Sequence, residues 1–221
     1  MTTTPSPAVP RPAHLEKFFS RVDPARARLI FALDATASRQ PTWDLAAQLQ
    51  AQMFATVDAL GGLDVQLVYY RDLGECVASR WLSDGTALGA IMSRVSCAAG
   101  HTQIQRVLAH ARRENARAQV NALILIADAC EEIPADLYAE ARELVGVPVF
   151  LFQEGNNPEV TRIYAEIATI TGGAHSKFDI DAAQRLADLL RAVAAFAVGG
   201  VKALTSQTTK AARLLLTQIK K

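Results

Sequence analysis

The chain has 221 residues, half of them apolar, and 23 basic side chains against 22 acidic ones, for a formal net charge of +1. That length and apolar content fit one folded domain with flanking segments, and the balanced charge gives no overall attraction to nucleic acid or a membrane surface. Three widely spaced cysteines, Cys76, Cys97 and Cys130, contain no C-x-x-C pair; this argues against a disulfide scaffold or a thiolate zinc site and suits a reducing, cytoplasmic setting.

Residues 1–24 hold five of the nine prolines and read as an extended, flexible tail, with a short helix around Leu15–Phe19 as one option. They lack the apolar stretch of a secretory signal. An unbroken apolar run, Arg28–Leu33, then predicts a strand buried on both faces. Leu45, Leu49, Met53, Val57 and Leu60 recur at helical spacing and predict a helix from Thr42 to Leu60, stopped by Gly61 and Gly62. Val65–Tyr70 is a second strand. After a turn at Arg71–Gly74, Glu75–Leu82 is a third, antiparallel to the second because so short a turn cannot make a parallel crossover. Helices at Thr86–Val95 and Thr102–Ala116 follow, then the apolar strand Ala122–Ala127. Helix Ala135–Leu144, strand Val149–Phe152, helix Val160–Thr169, strand Ala174–Phe178 and helix Asp181–Ala197 complete the domain, taken as residues 25–198. The alternation predicts a three-layer, doubly wound α/β fold: a mostly parallel six-stranded sheet with one antiparallel edge strand. Residues 199–221 carry five basic side chains and no acid, and read either as a basic amphipathic helix or as a solvated tail that orders against a partner or an acidic surface. The longest uncharged apolar-rich run, Ala192–Val201, is about half of the roughly 20 residues a transmembrane helix needs.

In a doubly wound sheet, ligands bind beyond the carboxyl ends of the strands. The first strand ends in Asp34-Ala35-Thr36-Ala37-Ser38, which sets three oxygen-bearing side chains at alternate positions. The fourth strand ends in Asp128, and the chain path brings Thr102, in Gly100-His101-Thr102, to the same rim. Two carboxylates and three hydroxyls form a hard oxygen set that suits Mg2+ or Mn2+. Two carboxylates only neutralise such an ion, which leaves it able to accept one more anionic oxygen.

D-x-T-x-S after the first strand, Gly-x-Thr before a helix and Asp at the end of the fourth strand resemble the metal-ion-dependent adhesion site of von Willebrand factor A (VWA) domains, in particular the stand-alone, intracellular bacterial type. The resemblance covers about residues 25–198. It implies a VWA, Rossmann-like fold with Asp34, Thr36, Ser38, Thr102 and Asp128 as metal ligands. It also implies a protein–protein interaction module, an adaptor for a partner presenting Asp or Glu, such as an ATPase or other enzyme encoded alongside. The sequence departs from the pattern in having Thr36 where serine is usual, Ala37 where glycine is common, and Arg39 directly after the motif.

Other readings attach to the same residues. Asp34 and Asp128 are suited to capping helices, as are Ser38 and Thr102. His101 reads as a rim histidine, and Glu131 and Glu132 as a solvated loop. An alternative function is a metal-dependent phosphoester hydrolase or phosphotransferase with Asp34 as nucleophile. That chemistry wants an acid where Thr36 stands and a lysine, yet lysine is absent from residues 18–176. A nucleotide-binding Rossmann domain lacks its glycine-rich turn, since no glycine precedes Gly61. Nucleic-acid binding has no basic, aromatic-rich surface to rest on.

Overall fold

Every residue of the apolar run after Arg28 is buried, because the strand it forms lies in the middle of a sheet. The computed structural model of the chain describes residues 26–57, 60, 62–179 and 183–219. The strands are β1 (Ala27–Asp34), β2 (Leu63–Arg71), β3 (Glu75–Ala78), β4 (Ala122–Ala127), β5 (Val149–Glu154) and β6 (Ala174–Phe178). They run in the order β3-β2-β1-β4-β5-β6, with only the β2–β3 pairing antiparallel. The proline-rich tail and the helix considered at Leu15–Phe19 lie outside the described residues.

Alternation along the strands sends side chains to opposite faces. Leu29, Phe31 and Leu33 of β1 join Ile124, Ile126, Phe150 and Phe152 on one face. There they pack under α1 (Gln40–Leu49), α2 (Ala51–Val57), α3 (Gly85–Met92), α7 (Ala183–Thr205) and α8 (Lys210–Ile219). Ile30 and Ala32 join Leu123, Leu125, Val149 and Leu151 on the other face. That face is covered by α4 (Ile104–Arg117), α5 (Pro134–Glu143) and α6 (Pro158–Thr171). The predicted three-layer architecture is therefore the observed one.

Two predicted elements are corrected. The single helix expected over Thr42–Leu60 starts earlier and is broken at Gln50, whose buried side chain leaves the helix surface and donates to Gly85 O at 2.9 Å. Leu60, expected on the apolar face, is 51% exposed. The third strand ends at Ala78 rather than Leu82, because the Ser79 hydroxyl takes the Leu67 N–H at 3.0 Å and bulges the chain out of the ladder. Leu82 returns only as an isolated bridge to Val65.

Beyond residue 198 the described chain is helical to Thr205 and again over Lys210–Ile219. Gly200, inside α7, adopts φ 61° and ψ −156°, a conformation open essentially to glycine that kinks the helix. Residues 206–209 then turn the chain so that α8 lies at 91° to α7. Ala211, Ala212 and Leu215 are buried in the same core as β1. Gln218 donates to His175 O and accepts from His175 N, both at 2.8 Å, so its side-chain amide stands in for a seventh strand near the start of β6. Among the described residues no single helix is long and apolar enough to cross a membrane.

Candidate metal centre

The carboxyl ends of β1 and β4 lie side by side, since Leu33 pairs with Ile126. Asp34 closes β1 and is 4% exposed. Its Oδ1 accepts the Thr36 N–H at 2.7 Å, and the Thr36 and Tyr70 hydroxyls lie beside the same carboxylate. The chain then turns through a single 3-10 turn, Ala37–Arg39, closed by Arg39 N–H on Thr36 O at 2.8 Å. Neither Thr36 nor Arg39, at the cap positions of this turn and of α1, caps with its side chain, and Ser38 Oγ contacts only Arg39 Nε, at 3.4 Å. The capping considered for Ser38 is thus not its role.

The loop from Cys97 to Gly100 holds this turn in place. Ala98 donates to Ala35 O at 3.0 Å and Thr36 bridges to Ala98. Gly100 bridges to Asp72, and a Cβ at position 100 would sit 2.2 Å from the Asp72 nitrogen, so only glycine allows this approach. Thr102 follows, 6% exposed. It does not cap α4 either. Its Oγ1 accepts the Glu131 N–H at 2.9 Å and its own N–H donates to Glu131 Oε2 at 3.0 Å. The cap of α4 comes from across the rim, where Glu132 takes the N–H groups of Ile104 and Gln105 at 2.6 and 2.8 Å.

Asp34, Thr36, Ser38, Thr102 and Asp128 all line one pocket of about 280 Å3, with Glu131 also on its wall. The five residues singled out in the sequence are brought together there from three loops. No group of three or more His, Cys, Asp or Glu side chains is disposed to hold a metal among the described residues. The donors here are two carboxylates and three hydroxyls.

Burial pushes the Asp34 carboxyl above its ordinary range; the Thr36 hydrogen bonds oppose this and the nearby Asp128 charge adds to it. Tyr70, the register partner of Asp34, is fully buried on the same side of the sheet, and its hydroxyl, which makes no hydrogen bond of ordinary geometry, sits beside the Asp34 carboxylate. A carboxylate whose burial outweighs its hydrogen bonds, sharing one pocket with a second carboxylate and three hydroxyls, is a set that a hard divalent cation fits.

Five participants were not read as part of the site, or only as its surroundings. Arg39 reaches Asp128 Oδ2 at 3.3 Å and Glu154 Oε2 at 2.5 Å. Thr42 also donates to Glu154. Glu131 and Glu132, expected as a solvated loop, position Thr102 and cap α4. Their signal was present in Asp-Ala-Cys-Glu-Glu following a buried strand on the rim that also carries an uncapped helix start. His101 is an exposed rim residue, 3.1 Å from Glu131.

No protein-family model matches the sequence, and no curated protein matches it. Solved structures do. A von Willebrand factor type A protein from Catenulispora acidiphila superposes with a TM-score of 0.62 at 20% identity, covering 79% of this chain and 43% of that one. The SpRpn10 VWA domain gives 0.58 at 8% identity, covering 73% and 95%. Proximal thread matrix protein 1 from the mussel byssus, with a zinc-occupied MIDAS motif, gives 0.54 at 17% identity, covering 76% and 46%. This chain spans less than half of the Catenulispora protein and 30% of the Lactobacillus rhamnosus pilus adhesin SpaC, which is also similar. The chain has the fold of von Willebrand factor A domains.

Proposed function

We propose that the rim pocket takes a divalent cation, Mg2+ or Mn2+, on Asp34, Thr36, Ser38, Thr102 and Asp128, and that the chain is a protein–protein interaction module rather than an enzyme. The observation that carries this reading is the convergence of five oxygen-bearing side chains from three loops on one pocket, with only two carboxylates among them. The zinc-occupied site of the mussel protein, on the same fold, supports it. When bound, the ion supplies a coordination position for an acidic side chain of a partner protein. Asp34 provides the buried charge. Thr36 and Ser38 add neutral donors, and Thr102 is held at the pocket wall by its two hydrogen bonds to Glu131. The partner class is a cytoplasmic protein presenting Asp or Glu, such as an ATPase or enzyme. Phosphoester hydrolysis from Asp34 is less favoured, because Asp34 Oδ1 is tied to the Thr36 backbone and position 36 supplies a hydroxyl instead of an acid.

Calorimetric titration with Mg2+ and Mn2+ tests the site. The wild-type chain is expected to give a saturable one-site isotherm that Asp34→Ala abolishes. Equal binding by both proteins would remove the pocket from consideration.

A further inference from the structure

Arg39 holds two carboxylates at once. Its Nη2 lies 3.3 Å from Asp128 Oδ2, its Nη1 lies 2.5 Å from Glu154 Oε2, and the side chain is only 13% exposed. The placement follows from the chain path. The 3-10 turn that presents Thr36 and Ser38 to the pocket ends at Arg39, and its guanidinium crosses the rim to the end of β5. Thr42, one turn into α1, donates to the same Glu154 oxygen, so Glu154 is fixed from two sides. Asp128 therefore forms a shared wall. On one side is the pocket of about 280 Å3 with Asp34 and Thr102; on the other is a second pocket of about 250 Å3 with Arg39, Glu154 and Asp179.

We propose that Arg39 is an affinity-setting residue for the rim pocket: a built-in cation that draws on Asp128 and weakens divalent-cation binding there, to a degree set by Glu154. The inference rests on the reading that this pocket takes a divalent cation. A positive charge fixed on Asp128 opposes the entry of a second cation beside it, because sheltered charges at this range are only partly screened. Asp128 has one oxygen against Arg39, so a single oxygen is left for the pocket. Glu154 offsets Arg39 from the far side. Removing the charge at 39 frees Asp128, while removing the charge at 154 leaves Arg39 to act on Asp128 alone. The two changes shift metal affinity in opposite directions. A guanidinium that merely held Asp128 in position would behave otherwise, since its loss would weaken the site.

Calorimetry with Mg2+ and Mn2+ on the full chain decides this, with Arg39→Gln, Arg39→Lys, Glu154→Gln and Asp34→Ala compared against wild type and thermal unfolding in EDTA as the folding check. Arg39→Gln is expected to bind about three- to tenfold more tightly and Glu154→Gln more weakly by a similar factor. Arg39→Lys keeps the charge and is expected to stay closer to wild type than Arg39→Gln does. Arg39→Gln that folds but binds with unchanged or lower affinity overturns the proposal. Should Arg39→Gln not fold, unchanged or tighter binding by Glu154→Gln overturns it. If no protein binds either metal, Arg39→Gln included, the metal reading of the pocket fails and this inference with it. Binding by wild type, its loss in Asp34→Ala and weakening in Arg39→Gln leave the pocket standing and remove the inference alone.

Discussion

Asp34 carries a cost in the metal-free protein. Burial raises its carboxyl pKa above 3.8, so the folded state holds the proton more tightly than the unfolded chain. Its contribution to stability is present in full below pH 3.8 and is lost as pH rises through the raised folded value. At neutral pH the ionised side chain is thus a liability that a cation would reverse. Asparagine at this position keeps an oxygen for the Thr36 N–H but cannot ionise. In EDTA at pH 7, Asp34→Asn is expected to be more stable than wild type by urea denaturation, with the gap closing below pH 3.8. With saturating Mg2+ the order should invert. A variant less stable than wild type in EDTA would show that Asp34 is adequately solvated or paired. These roles were partly legible in the sequence, because an acid ending a buried strand and followed by hydroxyls at alternate positions announces itself. Glu131, Glu132 and Glu154 were harder to read. Their partners lie 27 to 115 residues away, and nothing in local spacing records such a pairing.

At the level of elements, apolar periodicity located the strands and most helices, because burial on both faces of a central strand leaves a continuous signal. One departure comes from a polar side chain that captures a backbone group: Ser79 ends β3 by taking an N–H from β2. At Gln50, where the first long helix is interrupted, the backbone keeps helical angles and the side chain reaches Gly85 on the neighbouring helix. The C-terminal helix shows the same effect with the opposite result. Thr205–Thr209 is poor helix sequence, yet α8 forms beyond it because Leu215 and two alanines bury against the core, and burial of one leucine is worth about 1.5–3 kcal/mol. Gln218 then satisfies both backbone groups of His175 on an edge strand, which would otherwise invite pairing with another chain. Gln218→Ala is expected to lower stability by about 1–2 kcal/mol in urea and to increase self-association in sedimentation. An unchanged urea midpoint with a monodisperse monomer would show that α8 packing alone protects this edge.

Across the whole molecule, the VWA fold brings the ends of β1 and β4 and the start of α4 to one rim, where this chain carries Thr36 and Arg39. Thr36 preserves a hydroxyl, whereas Arg39 places a positive charge against one of the two carboxylates. The order of elements and the position of the edge strand could be read from the sequence because a crossover rule and a short hairpin leave few topologies. The hold of Arg39 on Asp128 and Glu154 could not, because it depends on how three loops pack. The most direct measurement is a crystal structure of the full chain soaked in Mn2+, examined by anomalous scattering. The account predicts one strong peak at about 2.1–2.2 Å from an oxygen of Asp34, with Thr36, Ser38, Thr102 or Asp128 completing the shell directly or through water. A pocket with no peak at saturating Mn2+, or a peak bound elsewhere while Asp34 and Thr102 contact only protein, would contradict it.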